Sequence, residues 1–413
     1  MANLRKLLGV QPDGSDWIAT VARVGYRFAG SIDGIVGTAP SPRRPVVAVL
    51  PFAGGDGEPA TGTTEAIAIA LARFHWFAVT RRADPLADYQ LQGSVRKGPG
   101  DSIRISVHLV DGSRGTDLWA ERYELQSAEL FAIQDEIARR VAGAIEPALL
   151  QADTSRAAVA EGTGAWDLVR RGTWLFHQIT RPTHLEARER FRQASELDPL
   201  LAEAHAWLAR VSAGILAYGW SDNPAADGAE GIRAGLQAVR LDERNPYAHY
   251  GLAIVSVYAG EPQQARRAAE RAVELSDSFA LGHLVLGLAE LACGNPAAAI
   301  VPLRRGLELS PGDPQNFAWL NFLALAQLFS NDAAGATATA GQLLKIRPDW
   351  RPGYQTLTCG EVMLGRIDAA RTIVAHMASL PVISGDTLAP ILTANPDWAK
   401  RLEDLFQRAC SPA

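Results

Sequence analysis

One helix-pair pattern recurs with a fixed spacing from about residue 165 to about residue 380. Short turns of small residues, each followed by an Ala-rich stretch, begin at Gly260, Gly294, Asn331 and Gly365, in steps of 34, 37 and 34 residues. The ends of the second helices keep the same phase, at Leu197, Leu241, Leu275, Leu309 and Ile346. Two markers in one phase predict stacked helix pairs, in which each apolar face is covered by the neighbouring pair.

Small side chains such as Ala253, Gly287 and Ala324 occupy positions where two helices of a pair would approach closely. A helix–turn–helix unit of 34 residues resembles the tetratricopeptide (TPR) repeat, and we count about six units over residues 165–384. The second unit is about ten residues longer, and we expect the extra residues in a longer loop at Tyr218–Pro224. Residues 385–413 read as a capping segment with a terminal helix at Asp397–Phe406.

Composition excludes several classes of protein. The net charge of −5 provides no whole-chain attraction for nucleic acid or an anionic membrane, so any DNA contact must be local. The three cysteines are far apart and have no C-x-x-C spacing, which indicates reduced thiols in a cytoplasmic protein. No run of 18 apolar residues is present, so we expect no membrane partner.

Residues 1–30 contain a short helix pattern and a hairpin pattern, Ile18 to Phe28, too little to bury a core. The segments Leu4–Gly9 and Ile18–Phe28 resemble the end of an OmpR/PhoB-type winged-helix DNA-binding domain. The resemblance implies a recognition-helix tail and a wing. The matching segments do not include the N-terminal part of that domain. DNA is therefore a partner only if the winged helix is complete. The DNA-binding residues it implies are Asn3, Arg5, Lys6, Arg23 and Arg27. Residues 31–45 read as a linker.

Residues 46–150 predict a small α/β unit. We expect strands at 46–52, 76–80, 89–97, 102–111 and 115–123, helices at 64–74 and 129–149, and a hairpin turn at Gly98–Asp101. Five segments, beginning at Val47, Gln92, Ile103, Leu118 and Phe131, are similar in order to the TolB-like domain of bacterial regulators. In those relatives the domain lies between TPRs and an effector, either a winged helix or a class III adenylate cyclase. The segment from Ala83 to Asp88 is shorter than in the relatives, which leaves one sheet face less covered.

The sequence contains no pattern that indicates catalysis. Gly54–Gly57 follows a strand but lacks the rest of a phosphate-binding motif, and a flexible loop explains it. The eight histidines show no metal-ligand spacing, and no G-x-S-x-G segment occurs. We therefore predict no catalytic residues, no metal and no cofactor.

The resemblance to TPRs also implies a concave groove, lined by fixed positions of each first helix. By the repeat phase the groove residues are Tyr247, Tyr250, Ile254, Leu284, Leu288, Leu291, Asn321 and Leu325, flanked by Val257, Leu281, Ala318 and Leu328. An apolar groove of this kind suits an amphipathic helix of a protein or peptide partner. The alternative is that the groove is filled by the α/β unit or the C-terminal helix of the same chain.

The fold class predicted from the sequence is thus α/β plus all-α: a TolB-like domain followed by a TPR α-solenoid, with an N-terminal winged-helix fragment. The function it indicates is a non-enzymatic transcriptional regulator that senses a signal or partner and contacts DNA. The alternative is a TPR interaction scaffold that binds no DNA, and an accessory subunit of a cyclase is a third, disfavoured hypothesis. The partner, the signal, the operator, the true start and the oligomeric state stay open.

Overall fold

The computed structural model describes residues 18–21, 25–28, 44–54, 58–84, 86–97, 102–126, 130–157, 163–313, 315–380 and 389–410. The chain divides into two units, residues 1–42 and 43–413. In the first unit, strands β1 (Ile18–Val21) and β2 (Gly25–Phe28) pair antiparallel, with Thr20 opposite Tyr26. The hairpin predicted from the alternating pattern is therefore present. The helix pattern before it and most of the predicted linker lie outside the described residues.

The second unit begins with a five-stranded sheet in the order β4–β3–β5–β6–β7. The strands are β3 (Val46–Val49), β4 (Ala78–Thr80), β5 (Tyr89–Lys97), β6 (Ser102–Asp111) and β7 (Asp117–Gln126). Strand β3 is parallel to β4 and β5, whereas β5, β6 and β7 pair antiparallel. The predicted turn at Gly98–Asp101 lies outside the described residues, although the two strands it would join do pair.

Helices α1 (Glu58–Ala72) and α2 (Leu130–Ala157) pack together against this sheet. Helix α2 buries Ile137, Val141, Ile145 and Leu149, which recur every four residues and so form one apolar stripe. The opposite sheet face carries solvent-accessible side chains such as Gln92. Gln92 pairs with His108 on β6, which in turn pairs with Ala120 on β7.

Six antiparallel helix pairs follow in the described part of the chain. They are α3 (Ala165–Phe176) with α4 (Arg181–Leu197), α5 (Ala202–Ala217) with α6 (Pro224–Leu241), α7 (Pro246–Tyr258) with α8 (Pro262–Leu275), α9 (Ala280–Ala292) with α10 (Pro296–Leu309), α11 (Asn316–Phe329) with α12 (Ala333–Ile346), and α13 (Arg351–Met363) with α14 (Ile367–Ala378). Each pair contacts the next, so the predicted α-solenoid is confirmed.

Each first helix ends just before a residue with positive φ. These residues are Gly219, Gly260, Gly294, Asn331 and Gly365, and in the first pair Ile179 at +50°. Glycine and asparagine adopt this left-handed conformation at low cost, which is why four of the turns were predicted from sequence. The turn at Ile179 was not predicted, because a β-branched side chain disfavours the left-handed conformation.

The ten-residue excess of the second unit lies mostly in its helices, so the predicted longer loop is only partly correct. The loop 218–223 replaces the shorter turn 259–261 of the next unit. The remaining extra residues lengthen α5 and α6, which have 16 and 18 residues against 13 and 14 in α7 and α8. Helical hydrogen bonds and continued burial of the α5 face account for this extension.

The α/β domain and the solenoid share one core, which runs from Val47 to Ile391. The domain docks where loops join successive helix pairs. Arg73 and Arg139 both pair with Asp277, and His75 lies 2.6 Å from Asp242. At the closest approach of α2, a Cβ on Gly143 would lie 2.9 Å from the carbonyl oxygen of Leu309. A larger residue at Gly143 would therefore require α2 or the end of α10 to shift.

Two C-terminal helices, α15 (Ala389–Ala394) and α16 (Pro396–Cys410), complete the described chain. Helix α16 packs on α13 and α14 and so covers the last helix pair, as the capping prediction requires. Helix α15 contacts α9 and α7, and Trp398 stacks on Phe329 with ring centroids 4.2 Å apart.

Candidate functional site

The eight predicted groove residues are all buried, each with less than a tenth of its surface exposed. The hydroxyl of Tyr247 donates a hydrogen bond to Glu146 on α2. The side-chain amide of Asn395, after α15, donates to the carbonyl of Leu291 at 3.2 Å. The chain itself thus covers these two positions, by the α/β domain and by the C-terminal segment. In this arrangement the predicted groove is closed to a partner helix.

One predicted groove residue packs inside its own helix pair. Leu284 faces its own partner helix, because a Cβ on Gly306 would lie 2.4 Å from Leu284 Cγ. On α11 the residues that line the neighbouring recess are Ala318, which was among the predicted groove positions, Trp319 and Phe322.

What is left of the concave surface is a recess of about 90 Å³. We call it the aromatic recess, and its aromatic side chains are Phe176, His184, Tyr218, Tyr250, Tyr258, Trp319, Phe322 and Trp350. Tyr250 and Ile254, two of the predicted groove residues, line it.

A larger opening runs along the free edge of the sheet. Strand β7 pairs with β6 on one side, and no described strand pairs with its other side. Three adjoining cavities of about 370, 490 and 570 Å³ follow this edge. The middle cavity shares Leu118 and Gln151 with one neighbour and Pro311 with the other. The three therefore form one continuous groove, which we call the edge groove.

The edge groove has three walls. Its base is β7 from Asp117 to Glu124, and one side is α2 from Arg140 to Ser155. The other side is the end of α10, with Glu308 and Leu309, and the residues after it, among them Pro311, Asp313 and Gln315. Eight strand residues correspond to roughly 25 Å of extended chain. Leu118 is more than a third exposed, and acidic and basic side chains alternate beyond it. The groove therefore offers a free backbone edge with an apolar anchor.

Arg210 on α5 lies at the deep end of the middle cavity, where it also borders the aromatic recess. Its side chain is buried, and its Nη1 atom has no hydrogen-bond partner among the described residues. The guanidinium lies 4.6 Å from the ring centroid of Trp207, 5.0 Å from that of Phe176 and 5.3 Å from that of Tyr250. Aromatic rings thus compensate part of the charge, and sequence patterns do not reveal a cation placed in this way.

Three titratable groups surround this arginine. Burial raises the pKa of Glu146 to about 8, with Arg210 opposing the shift. Burial also raises the pKa of Asp313, whose Oδ1 accepts a hydrogen bond from the Gln315 amide at 2.7 Å. Burial and the nearby arginine lower the pKa of His177 to about 4. At neutral pH, therefore, His177 is uncharged and Glu146 is mostly protonated.

The predicted DNA-binding residues fall on the other unit. Arg27 lies in β2, opposite Ala19. Asn3, Arg5, Lys6 and Arg23 lie outside the described residues, so the structure does not bring this set together. DNA binding by them stays a prediction.

The described residues contain no group of three or more His, Cys, Asp or Glu side chains arranged to hold a metal ion. Within the same residues, every helix is too short or too polar to cross a membrane. Cys293, Cys359 and Cys410 are free thiols in this structure.

The helix pairs, their spacing and the small sheet define the class of protein: an α/β domain joined to a TPR-like α-solenoid. No family model matches the chain. A relative in Rhizobium meliloti (strain 1021), putative adenylate cyclase 3, is 30% identical over 254 residues, which cover 55% of this chain and 43% of that protein. The chain thus spans less than half the length of this relative.

Two solved structures have a similar arrangement of helices. The Cut9–Hcn1 hetero-tetramer of the APC/C has a TM-score of 0.46 and 16% identity, and the match covers 67% of this chain and 48% of that chain. The TPR protein TTC0263 of Thermus thermophilus has a TM-score of 0.38 and 19% identity, covering 51% of this chain and 100% of that one. Both scores are low, so the assignment to a TPR-like solenoid rests on the helix pairs of this chain. A TolB-like identity for the α/β domain stays a prediction.

Proposed function

We propose that this chain is a non-enzymatic protein-interaction scaffold that binds a partner polypeptide in the edge groove. The observation that carries the proposal is the free edge of β7, ten residues long and bordered by α2 and a solenoid loop. An extended peptide adds to such an edge through main-chain hydrogen bonds, while pockets beside it select side chains. Two of the predicted groove positions on the concave face, Tyr247 and Leu291, contact other segments of the chain.

The regulator predicted from the sequence differs from this proposal in requiring DNA. Its recognition residues lie outside the described part of the chain except for Arg27, and no described contact supports DNA binding. The interaction scaffold, which was the alternative hypothesis, needs only the α/β domain and the solenoid. We therefore propose the scaffold and leave transcription regulation as a separate prediction.

Selection of peptides from a random displayed library on the full chain tests the proposal. Successive strand residues point their amides to opposite edges, so Ala120→Pro and Glu121→Pro remove one amide from each edge of β7. We expect selected peptides to lose binding to the one of these variants that removes an outward amide. The matched variant Glu121→Ala keeps the amide and should retain binding.

Hydrogen exchange provides the second readout. A bound peptide should slow the exchange of outward-facing amides between Asp117 and Glu124. Peptides that bind both proline variants as well as the original chain, or a library that yields no binder, would overturn the proposal.

A further inference from the structure

Arg210 carries a charge that the described structure leaves without an ion pair. A guanidinium stays protonated in proteins, and a buried cation that forms no direct ion pair is costly. Only 5% of the Arg210 surface is exposed, and three aromatic rings cover its faces. The unpaired Nη1 atom therefore marks a position where an anionic group would be stabilised.

The surroundings of Arg210 define the rest of the ligand. On one side the cavity has polar groups from His177, Gln178 and Gln315. Arg210 also lines the aromatic recess, together with Trp319 and Phe322. A ligand that spans both regions must join an anionic group to a flat apolar body.

The acidic side chains nearby limit the charge of that ligand. Glu146 is held by the hydroxyl of Tyr247, and Asp313 by the amide of Gln315. Neither forms an ion pair with Arg210, yet both border the same cavity. Arg210 supplies one positive charge, which matches a single carboxylate better than a phosphate dianion.

We propose that Arg210 binds the carboxylate of an aromatic acid whose ring enters the aromatic recess. The carboxylate accepts hydrogen bonds from the guanidinium, and the ring packs against Trp319 and Phe322. This site shares the middle cavity with the edge groove, but it uses the Arg210 guanidinium and not the backbone edge of β7, so its test does not require peptide pairing.

Calorimetric titration of the full chain with phenylacetate tests the site. We expect a Kd of about 1 mM or tighter, given the size of the ligand. Arg210→Met should weaken binding about tenfold or more, since a hydrogen-bonded charge pair is lost. Arg240→Met, which changes an arginine on the exposed face of α6, is the matched control and should leave binding unchanged.

The unaltered chain supplies a second test that does not depend on folding of a variant. 2-Phenylethanol has the same ring and no charge, and acetate has the charge and no ring, so both should bind at least about tenfold more weakly. Equal binding of 2-phenylethanol, or no binding of phenylacetate at about 10 mM, would overturn the proposal.

A carboxylate of this kind can come from a free acid or from the C terminus of a peptide. Peptides that end in phenylalanine, with a free or an amidated terminus, separate these sources. Binding of the free-terminus peptide alone assigns a peptide end, and binding of phenylacetate without either peptide assigns a small acid.

Discussion

The hydroxyl of Tyr247, at the start of α7, donates a hydrogen bond to the carboxyl group of Glu146 on α2. The two residues are 101 positions apart, and their contact lies where the α/β domain meets the solenoid. Both side chains are buried, so this polar pair helps to set how the two parts of the chain dock.

Glu146 should make stability depend on pH. Its native pKa of about 8 exceeds the ordinary value of 4.5 because the carboxyl is buried. The folded chain then holds a proton that the unfolded chain releases, so stability falls as the pH rises from about 4.5 to about 8. We expect Glu146→Gln to flatten this slope and to be more stable than the original chain at pH 8 by about 1 to 3 kcal/mol.

Urea unfolding at pH 6, 7, 8 and 9 measures this effect. Glu196→Gln, at an exposed position of α4, is the control and should leave the slope unchanged. An unchanged slope in Glu146→Gln would show that this carboxyl is charged in the folded protein.

His184 should limit stability in acid. Its ring is fully buried, with centroids 4.7 Å from Phe176 and 4.9 Å from Trp220, and burial lowers its pKa to about 4. The unfolded chain binds a proton near pH 6.5 that the native state excludes, so stability is lost as the pH falls from 6.5 to about 4. At pH 5 we expect His184→Phe to recover about 1 kcal/mol.

Thermal unfolding between pH 7 and pH 4.5 compares this variant with His376→Phe, at a site with an exposed ring contact to Tyr354. The same acid sensitivity in both variants would contradict the assignment to His184.

Ile179 should be a strained position. Its φ of +50° is left-handed, which costs an L-residue roughly 1 to 2 kcal/mol. We therefore expect Ile179→Gly to raise the free energy of unfolding by about 1 kcal/mol, after the loss of some side-chain packing. At Gly260, φ is +82° and no atom lies within 4 Å of an added Cβ, so Gly260→Ala should cost about 1 kcal/mol from the backbone alone.

Denaturant titrations of the two variants check both signs. If Ile179→Gly is destabilising, the packing of the isoleucine side chain against the aromatic recess outweighs the backbone strain.

Partner binding should not depend on the residues assigned to DNA recognition. A variant with Arg5, Lys6, Arg23 and Arg27 changed to Ala should bind selected peptides with unaltered affinity. Fluorescence anisotropy with duplex DNA at about 50 and 200 mM salt tests the other hypothesis. DNA binding that weakens steeply with salt and is lost in this variant would restore the regulator.

Local sequence signals predicted the helix pairs because the residues that end the first helix and form the turn lie within each pair. The turns at Gly260, Gly294, Asn331 and Gly365 require a left-handed residue, and glycine or asparagine supplies one. The strands β5 and β6 have the predicted bounds because their alternation matches a sheet with one buried face. Helix α2 runs eight residues beyond the predicted end, and Asp153 in this extension pairs with Arg170 of α3, a contact that local patterns do not show.

The amino-acid sequence by itself determined the repeat, the phase of its turns and the presence of a small sheet, because these depend on neighbours along the chain. Only the tertiary structure decided which surfaces stay open. It buried Tyr247 and Leu291 under distant segments and left Arg210 charged in a cavity between two parts of the fold. It also left one edge of β7 unpaired among the described strands. These features depend on contacts between residues about a hundred positions apart, and the periodicity of neighbouring residues does not predict such contacts.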